Sequence, residues 1–448
     1  SIPLFFHLEA KFLFHSKVYQ KQLKQLTTMS GSLQDPCENL PPGKYHGRII
    51  KQSEKFNQII VLIKDRFFRL IMEETVKLQI GSLISFKINL DNKIEKIKIK
   101  NSTLNFEANG DISRWIKLTK KPSRMEFIHA RHQIIRGIRK WFDQQNFIET
   151  ETPLLVSAPS PETQLFPVKT DKGYLITSPE YQMKRLLVGG FDKIYQISRC
   201  FRDDEKSSQH NPEFTMLEWY RTYQPLEKLM TDIEKFALYL SDSVKSNLLS
   251  KKIPPPPWPR KSVSSLFKKH IGIKLDGYET ANELRKKAEL SGYEKLLNDL
   301  PYSSKLSDSL AYEQTFFRLW NYIQNRFSKS TPIFVFDWPL PLASLARKNS
   351  KRQKFAERVE LYANCMELAN GFAELTDPIE QRRRFEQDLK NRKSEGRETV
   401  PLDNKLLKSI ELGLPECSGM ALGIDRLIMW LCGTDNIQDV ICFTEDEV

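Results

Sequence analysis

The spacing of apolar residues changes period along the chain, and each period predicts a different element. Between Gly43 and about Phe106 the runs YHGRII, IIVLI, FFRLIM, LISFKINL and KIEKIKIK are separated by polar or glycine turns. Four to five strands at such close intervals predict a small barrel or meander. Ile134, Ile135, Ile138, Trp141 and Phe142 then recur at helical spacing, so this helix turns one face to a core or a subunit interface. In EFTMLEWY the period becomes two, placing Phe214, Met216, Glu218 and Tyr220 on one strand face and Thr215, Leu217 and Trp219 on the other. A carboxylate is costly to bury unless it meets a cation. A face holding an aromatic ring, a carboxylate and a phenol therefore points to a cationic ligand rather than to packing.

Other segments set the organisation. FIETETPLL places Pro153 at a strand edge or a turn. KKIPPPPWPRK reads as a stiff connector, ANELRKKAEL as a helix and TPIFVFDWPLP as a buried strand. The opening SIPLFFHLEAKFLFHSK is too short and interrupted for a membrane span and lacks a cleavage site. Residues before Met29 read as a leader, a tag remnant or a misassigned start. The expected division is a leader or disordered segment at 1–40, a small β-rich domain at 41–110, a linker at 111–123 and a main domain at 124–448, with an insertion at about 226–330.

With 448 residues the chain can bury a sizeable core, and its net charge of +13 favours an anionic partner such as nucleotide, RNA or an acidic protein. The six cysteines show no CxxC spacing, which excludes a zinc knuckle or a disulfide framework and fits a reducing cytoplasm. Neither GxxxxGK[ST] nor GxGxxG after a strand occurs, and no kinase signature is present. Any nucleotide chemistry must then rest on arginines and carboxylates.

Three segments carry such groups. In FRDDEKSSQHNPEFTMLEWY, Arg202 sits where a strand enters a hairpin and offers phosphate a fork of donors, while Phe214 offers a stacking surface. In SGMALGIDRLIMWL a small-residue strand leads into a helix that Asp425 is expected to cap, with Arg426 in its first turn beside the positive helix end. In ELANGFAEL, Asn370-Gly371 is a natural bulge site, and one extra residue would bring Glu367 and Glu374 to one cavity as Mg²⁺ ligands. Taken singly, Arg202 reads equally as a surface ion-pair residue and the glutamates as strand-end acids.

Together these residues resemble class II aminoacyl-tRNA synthetases of the lysine type. FIETETP resembles the first family motif, FRDD through EFTMLEWY the second and GMALGIDR the third, with TSPEYQMKRLL between the first two. Within that group HNPEFTMLEWYR, ELANGFAELTD, EQRRRFEQD, LPECSGMALGIDRL and DVICFTED resemble the elongation factor P β-lysine ligases, which charge a protein lysine instead of a tRNA. The resemblance covers about Arg124 to Val448. It implies an α+β fold, with an antiparallel sheet flanked by helices in a homodimer. By the same resemblance YHGRII, IIVLI and GSLISFKI look like a reduced oligonucleotide-binding (OB-like) barrel, which leaves RNA open as a partner.

The resemblance also implies roles. Arg202 and Arg426 hold the phosphates of ATP, His210 and Asn211 line the nucleotide, Phe214 stacks on adenine, Gly423 allows close approach, and Glu367 and Leu368 border ATP. Asp203 and Asp204 stand in the family's FRxE motif, here FRDD, at the adenine edge. Ser178, Pro179, Glu180, Glu218, Tyr220, Asn370 and Glu374 define the amino-acid site, with Glu367 and Glu374 as Mg²⁺ ligands. Lysyl-tRNA synthetases usually have glycine where this chain has Ala421, whose methyl narrows the pocket and suits a shifted β-amino group. The implied activity is ATP-dependent activation of β-lysine or lysine and transfer to elongation factor P. A lysyl-tRNA synthetase and a non-catalytic RNA-binding paralogue remain the alternatives.

Overall fold

The computed structural model describes residues 40–101 and 122–444, apart from 54–56, 65, 73–76, 80, 91–92, 204–206, 245–248, 250–252, 299 and 301–306. Nearly all of the expected leader and of the expected linker lies outside the described residues. The chain divides into two units between Lys120 and Lys121.

In the first unit β1 (Gly43–Ser53), β2 (Gln58–Ile63), β3 (Arg66–Met72), β4 (Leu83–Ile88) and β5 (Lys93–Asn101) close into a barrel in the order β1-β2-β3-β5-β4. Alternation drives the closure: Ile59, Val61 and Ile63 of β2 and Ile84, Phe86 and Ile88 of β4 all point inward. The result is compatible with an OB-like domain. Outside, Lys44, Lys87 and Lys96 stand directly opposite one another on three neighbouring strands. Like charges so placed repel, and Glu95 relieves only part of this by pairing with Lys87 at 2.8 Å.

The second unit runs through α1 (Pro122–Gln144), β6 (Ile148–Glu149), β7 (Leu155–Val156), β8 (Lys169–Thr170), β9 (Gly173–Leu175), α2 (Glu180–Val188), β10 (Lys193–Phe201) and β11 (Glu213–Thr222). It continues through α3 (Leu226–Ser243), β12 (Arg260–Ser262), α4 (Val263–Ile271), α5 (Ala281–Leu290), α6 (Asp308–Gln324), β13 (Ile333–Pro339), β14 (Phe355–Ala363) and β15 (Met366–Ala373). The last elements are α7 (Pro378–Ser394), α8 (Asn404–Gly413), β16 (Cys417–Gly423) and α9 (Ile424–Cys432). Eight strands form one sheet in the order β12-β13-β14-β15-β16-β11-β10-β6, antiparallel except for the two edge pairs.

One face of this sheet is apolar and covered by helices α1, α3 and α9. Leu217 and Trp219 of β11, Met420 and Leu422 of β16 and Leu368 and Ala369 of β15 pack there against Ile134, Ile138 and Phe142 of α1, Phe236 of α3 and Leu427 of α9. Phe142 is the hub, stacked on Tyr195 at 4.5 Å and edge-on to Phe147 and Trp219. The face predicted for α1 is thus core, with Ile135 only partly buried. The opposite face of the sheet carries the polar residues.

The middle of the chain is tied to the core more closely than expected. Helix α3, expected inside the insertion, belongs to the main core because nine of its residues are buried. The connector KKIPPPPWPRK keeps Pro255, Pro256 and Pro257 exposed but is anchored to the core within its described part. Trp258 is buried, stacks on Phe334 and meets Trp430 edge-on. The helix read from ANELRKKAEL forms as α5, begun by a capping box of Thr280 and Glu283. Among the described residues no helix is long and apolar enough to cross a membrane.

Phe142→Ala removes the hub of the aromatic cluster and should cost about 3–5 kcal/mol, read as a lowered midpoint in denaturant unfolding.

Candidate active site

Alternation along the central strands builds the polar face. Glu218 and Tyr220 of β11 share it with Gly419, Ala421 and Gly423 of β16, since Trp219 pairs with Met420 and both point to the helices. Glu218 lies directly beside Ala421, and Ala421 beside Asn370 of β15. Gly419 is dictated by contact: a Cβ there would lie 2.2 Å from the Tyr220 ring and 2.5 Å from Glu374 Oε1. A Cβ on Gly423 would meet only Arg426, at 3.9 Å, so that end of the strand is open.

At the Gly419 end the face becomes a buried charge cluster. Glu218 accepts hydrogen bonds from Tyr220 at 2.5 Å and from Ser178 at 2.7 Å. Pro179 precedes α2, and the first residue of that helix, Glu180, accepts from Lys184 one turn later at 2.6 Å. Lys184 also reaches Glu374 at 2.5 Å, and these two side chains are only 2% and 1% exposed. Three carboxylates thus face one ammonium. Burial pushes Glu374 up to about 8, with Lys184 pulling it down and Glu180 raising it. Burial and the Glu180 charge take Glu218 to about 7, against the bonds from Tyr220 and Ser178. Burial lowers Lys184, but Glu180 and Glu374 outweigh it and hold the ammonium above the ordinary lysine range. The buried Oε1 of Glu374 accepts no hydrogen bond. A cationic ligand is what this cluster lacks electrostatically.

Glu180 and Ser178 of this cluster also line a cleft with Ser160, Glu162 and Tyr181. Sequence reasoning assigned nothing to Lys184. Its signal was the spacing of four from Glu180, which on an exposed helix would be an ordinary ion pair.

The other end of the face holds the residues expected around ATP. Arg202 follows β10 and lies over the Phe214 ring at 5.1 Å. His210 contacts Ser207 Oγ at 2.7 Å and Arg426 Nη2 at 2.5 Å, and Arg426 Nη1 donates to the Glu367 carbonyl at 2.8 Å. The two arginine segments therefore meet through His210. Asn211 Nδ2 donates to the Glu213 carbonyl, closing the turn into β11. The Asp203 amide donates to the Phe166 carbonyl at 2.7 Å. Asp204 lies outside the described residues.

Several expected placements differ. Asp425 does not cap α9; Gly423 holds the cap position. Asp425 is buried, accepts from the Thr215 amide at 2.8 Å and pairs with Arg131 of α1, which also donates to Thr215 Oγ1 at 2.7 Å. Sequence reasoning missed Arg131, which lies 294 positions before Asp425. The bulge is not at Asn370-Gly371. Leu361 pairs with Ala369 and Tyr362 with Glu367, so Leu368 is the extra residue. Gly371 serves another purpose, since a Cβ there would lie 2.5 Å from the Met420 sulfur. Leu368 turns its side chain into the core rather than toward a nucleotide.

The bulge at Leu368 still turns Glu367 to the face of Asn370, as expected, but the two carboxylates expected to share a metal are divided by their distance along the strand. Glu374, just past the end of β15, is committed to Lys184, whereas Glu367 lies at the start of that strand, roughly 20 Å away along an extended chain. The carboxylate near Glu367 is Glu360 of β14, which burial and the Glu367 charge push up to about 8 against Arg358. Alternation in FAERVELYA was the available signal. Both Glu360 oxygens are engaged, one by Arg358 at 2.5 Å and the other by Tyr362, so a hard cation beside Glu367 would complete its shell with other oxygens. Among the described residues no group of three or more His, Cys, Asp or Glu side chains has metal-holding geometry.

Comparison with known proteins adds a second kind of finding. Residues 112–447 match the family described as tRNA synthetases class II (D, K and N). The chain is 38% identical over 324 residues to the elongation factor P (R)-β-lysine ligase of Pectobacterium atrosepticum, covering 70% of this chain and 93% of that protein. It is 37% identical to the ligase of that name from Pectobacterium carotovorum subsp. carotovorum, with the same coverage. To the one from Salmonella dublin it is 36% identical over 326 residues, covering 70% and 94%.

The Glu374 titration gives a signed prediction. Its folded pKa of about 8 lies above the ordinary 4.5, so the folded state holds the proton longer than the unfolded chain. The associated stability is complete below the unfolded value and is lost as pH rises through the folded one. Between about pH 5 and about pH 8 the wild-type melting temperature should therefore fall more than that of Glu374→Gln, measured by calorimetry without ligand.

Proposed function

Since this chain belongs to the class II tRNA synthetases (D, K and N), we propose that it is an AMP-forming ligase that activates (R)-β-lysine or lysine with ATP. The activated acyl group then passes to a lysine of elongation factor P. The observation that carries the amino-acid class is the buried set Glu180, Glu218 and Glu374 facing the single ammonium of Lys184. An amino acid with a second ammonium supplies the missing charge, and a neutral side chain does not. The acceptor rests on the relatives named as elongation factor P (R)-β-lysine ligases.

In this reading Phe214 receives adenine, and Arg202 and Arg426 turn their forks to the phosphates, with His210 and Asn211 at the loop that covers them. Asp203 and Asn370 border the site, and Gly423 leaves room for close approach. Glu367 would hold Mg²⁺, whose chemistry is to neutralise the polyphosphate, with Glu360 beside it held by Arg358 and Tyr362. The amino-acid carboxylate attacks the α-phosphorus and pyrophosphate leaves. The acceptor amine then attacks the acyl carbonyl and AMP leaves. Such displacements need positioning and charge neutralisation more than a protein nucleophile. We further propose a cytoplasmic homodimer, supported by the exposed Ile148, Leu154 and Leu155 near the β6 sheet edge.

The tRNA-charging alternative is favoured by one feature, the opposed lysines Lys44, Lys87 and Lys96 on the barrel. RNA phosphates would relieve their mutual repulsion.

Three outcomes are expected. Arg426→Ala should lower amino-acid-dependent pyrophosphate exchange by roughly 10²–10³-fold. Ala421→Gly should raise the ratio of kcat/KM for lysine over β-lysine by about 10-fold or more, a methyl-sized effect. Offered tRNA and elongation factor P together, the wild type should transfer radiolabelled β-lysine to the protein; stable tRNA charging alone would establish the alternative acceptor.

A further inference from the structure

Helix α7 carries the basic run EQRRRFEQDLKNRK, which invites a reading as a docking face for an acidic partner. Much of this charge is already used. Arg384 donates to the carbonyls of Ser344 and Ala346 at 2.8 and 2.7 Å. Arg392, only 4% exposed, donates through Nη1 to the carbonyls of Glu162 and Leu165 at 3.1 and 2.8 Å and through Nε to the Glu398 carbonyl at 3.1 Å. Arg397, just beyond the helix, donates to the Thr163 carbonyl and lies over the Phe166 ring at 4.5 Å.

Arg392 and Arg397 thus converge on residues 162–166, and that segment connects both halves of the site. At one end the Glu162 carboxylate accepts from Ser160 at 3.1 Å and Ser344 at 2.7 Å, and Tyr181 of α2 donates to Ser160 at 3.1 Å. At the other end the Phe166 carbonyl receives the Asp203 amide, one residue beyond Arg202. The segment has no regular secondary structure of its own, so its carbonyls need donors from elsewhere. A guanidinium suits this better than an ammonium because its donors are fixed in a plane and reach several carbonyls together.

We propose that Arg392 and Arg397 are positioning residues that strap segment 162–166 in place and thereby set the Arg202 loop for the triphosphate. Neither touches the nucleotide. They act through Phe166 and Asp203, and this rests on the adenylation reading above. The consequence is a change in ATP affinity with the chemical step retained once ATP saturates.

The test measures ATP binding by titration calorimetry, together with kcat and KM for ATP in pyrophosphate exchange and the melting temperature. The proteins are the wild type, Arg392→Lys, Arg397→Gln and the charge control Arg382→Ala, whose nearest acid, Glu411, is 3.9 Å away. Arg392→Lys and Arg397→Gln should each weaken ATP binding and raise KM for ATP on the order of tenfold, with kcat near the wild-type value. Arg382→Ala should leave all of these unchanged. Arg397 is partly exposed, so its variant keeps the test open if Arg392→Lys does not fold. Wild-type ATP affinity in a folded Arg397→Gln would overturn the proposal, as would equal weakening by Arg382→Ala. A wild type that binds no ATP would overturn the adenylation reading and this inference with it.

Discussion

Burying acids on the floor of a sheet is the constraint around which this catalytic unit is arranged. Glu218, Glu374 and Glu180 come from a central strand, from the residue after a strand and from a helix start; the first two are buried and Glu180 is 14% exposed at the cleft. Lys184 makes this tolerable, because its ammonium lies between two of them at 2.5 and 2.6 Å. Tyr220 and Ser178 supply hydrogen bonds to the third. Removing one partner of such a cluster leaves a buried charge uncompensated. The apolar face of the same strands provides the rigidity: Trp219 and Met420 lock against α1 and α3 on one side while Glu218 and Ala421 face the other.

A second clamp acts at a distance from the acids. Arg131, Asp425 and Thr215 join α1, α9 and β11, so the helix that presents Arg426 is held to the strand that presents Phe214. The straps from α7 hold the neighbouring loop by a different route, through backbone carbonyls. Each arginine segment therefore has its own support, and the two also meet where Arg426 contacts His210 and the Gln209 carbonyl.

Much of this was legible in the sequence where a single strand or helix carries the information. Alternation in EFTMLEWY assigned Glu218 and Tyr220 to one face and Trp219 to the other, and the five short runs of the barrel all became strands. What escaped depends on which strands become neighbours. Glu360 joins Glu367 only because β14 pairs with β15 through a bulge at Leu368. The local cue of Asn370-Gly371 pointed to the wrong place because Gly371 answers to a sulfur on the adjacent strand. Asp425 read as a cap because its partner Arg131 is far away in sequence. Lys184 went unassigned because burial of α2 against β16 and α8 is a property of the assembled fold.

The three small residues along β16 face the site at alternate positions but are not equally constrained. Gly419 is pinned by Tyr220 and Glu374, while Gly423 has open space around it. Between them Ala421 touches Glu218 on one strand and Asn370 on the other. The strand therefore behaves as a gauge with one adjustable stop. A change of that one methyl group alters the space between Glu218 and Asn370 while leaving the charge cluster at one end of the strand and Arg426 at the other in place.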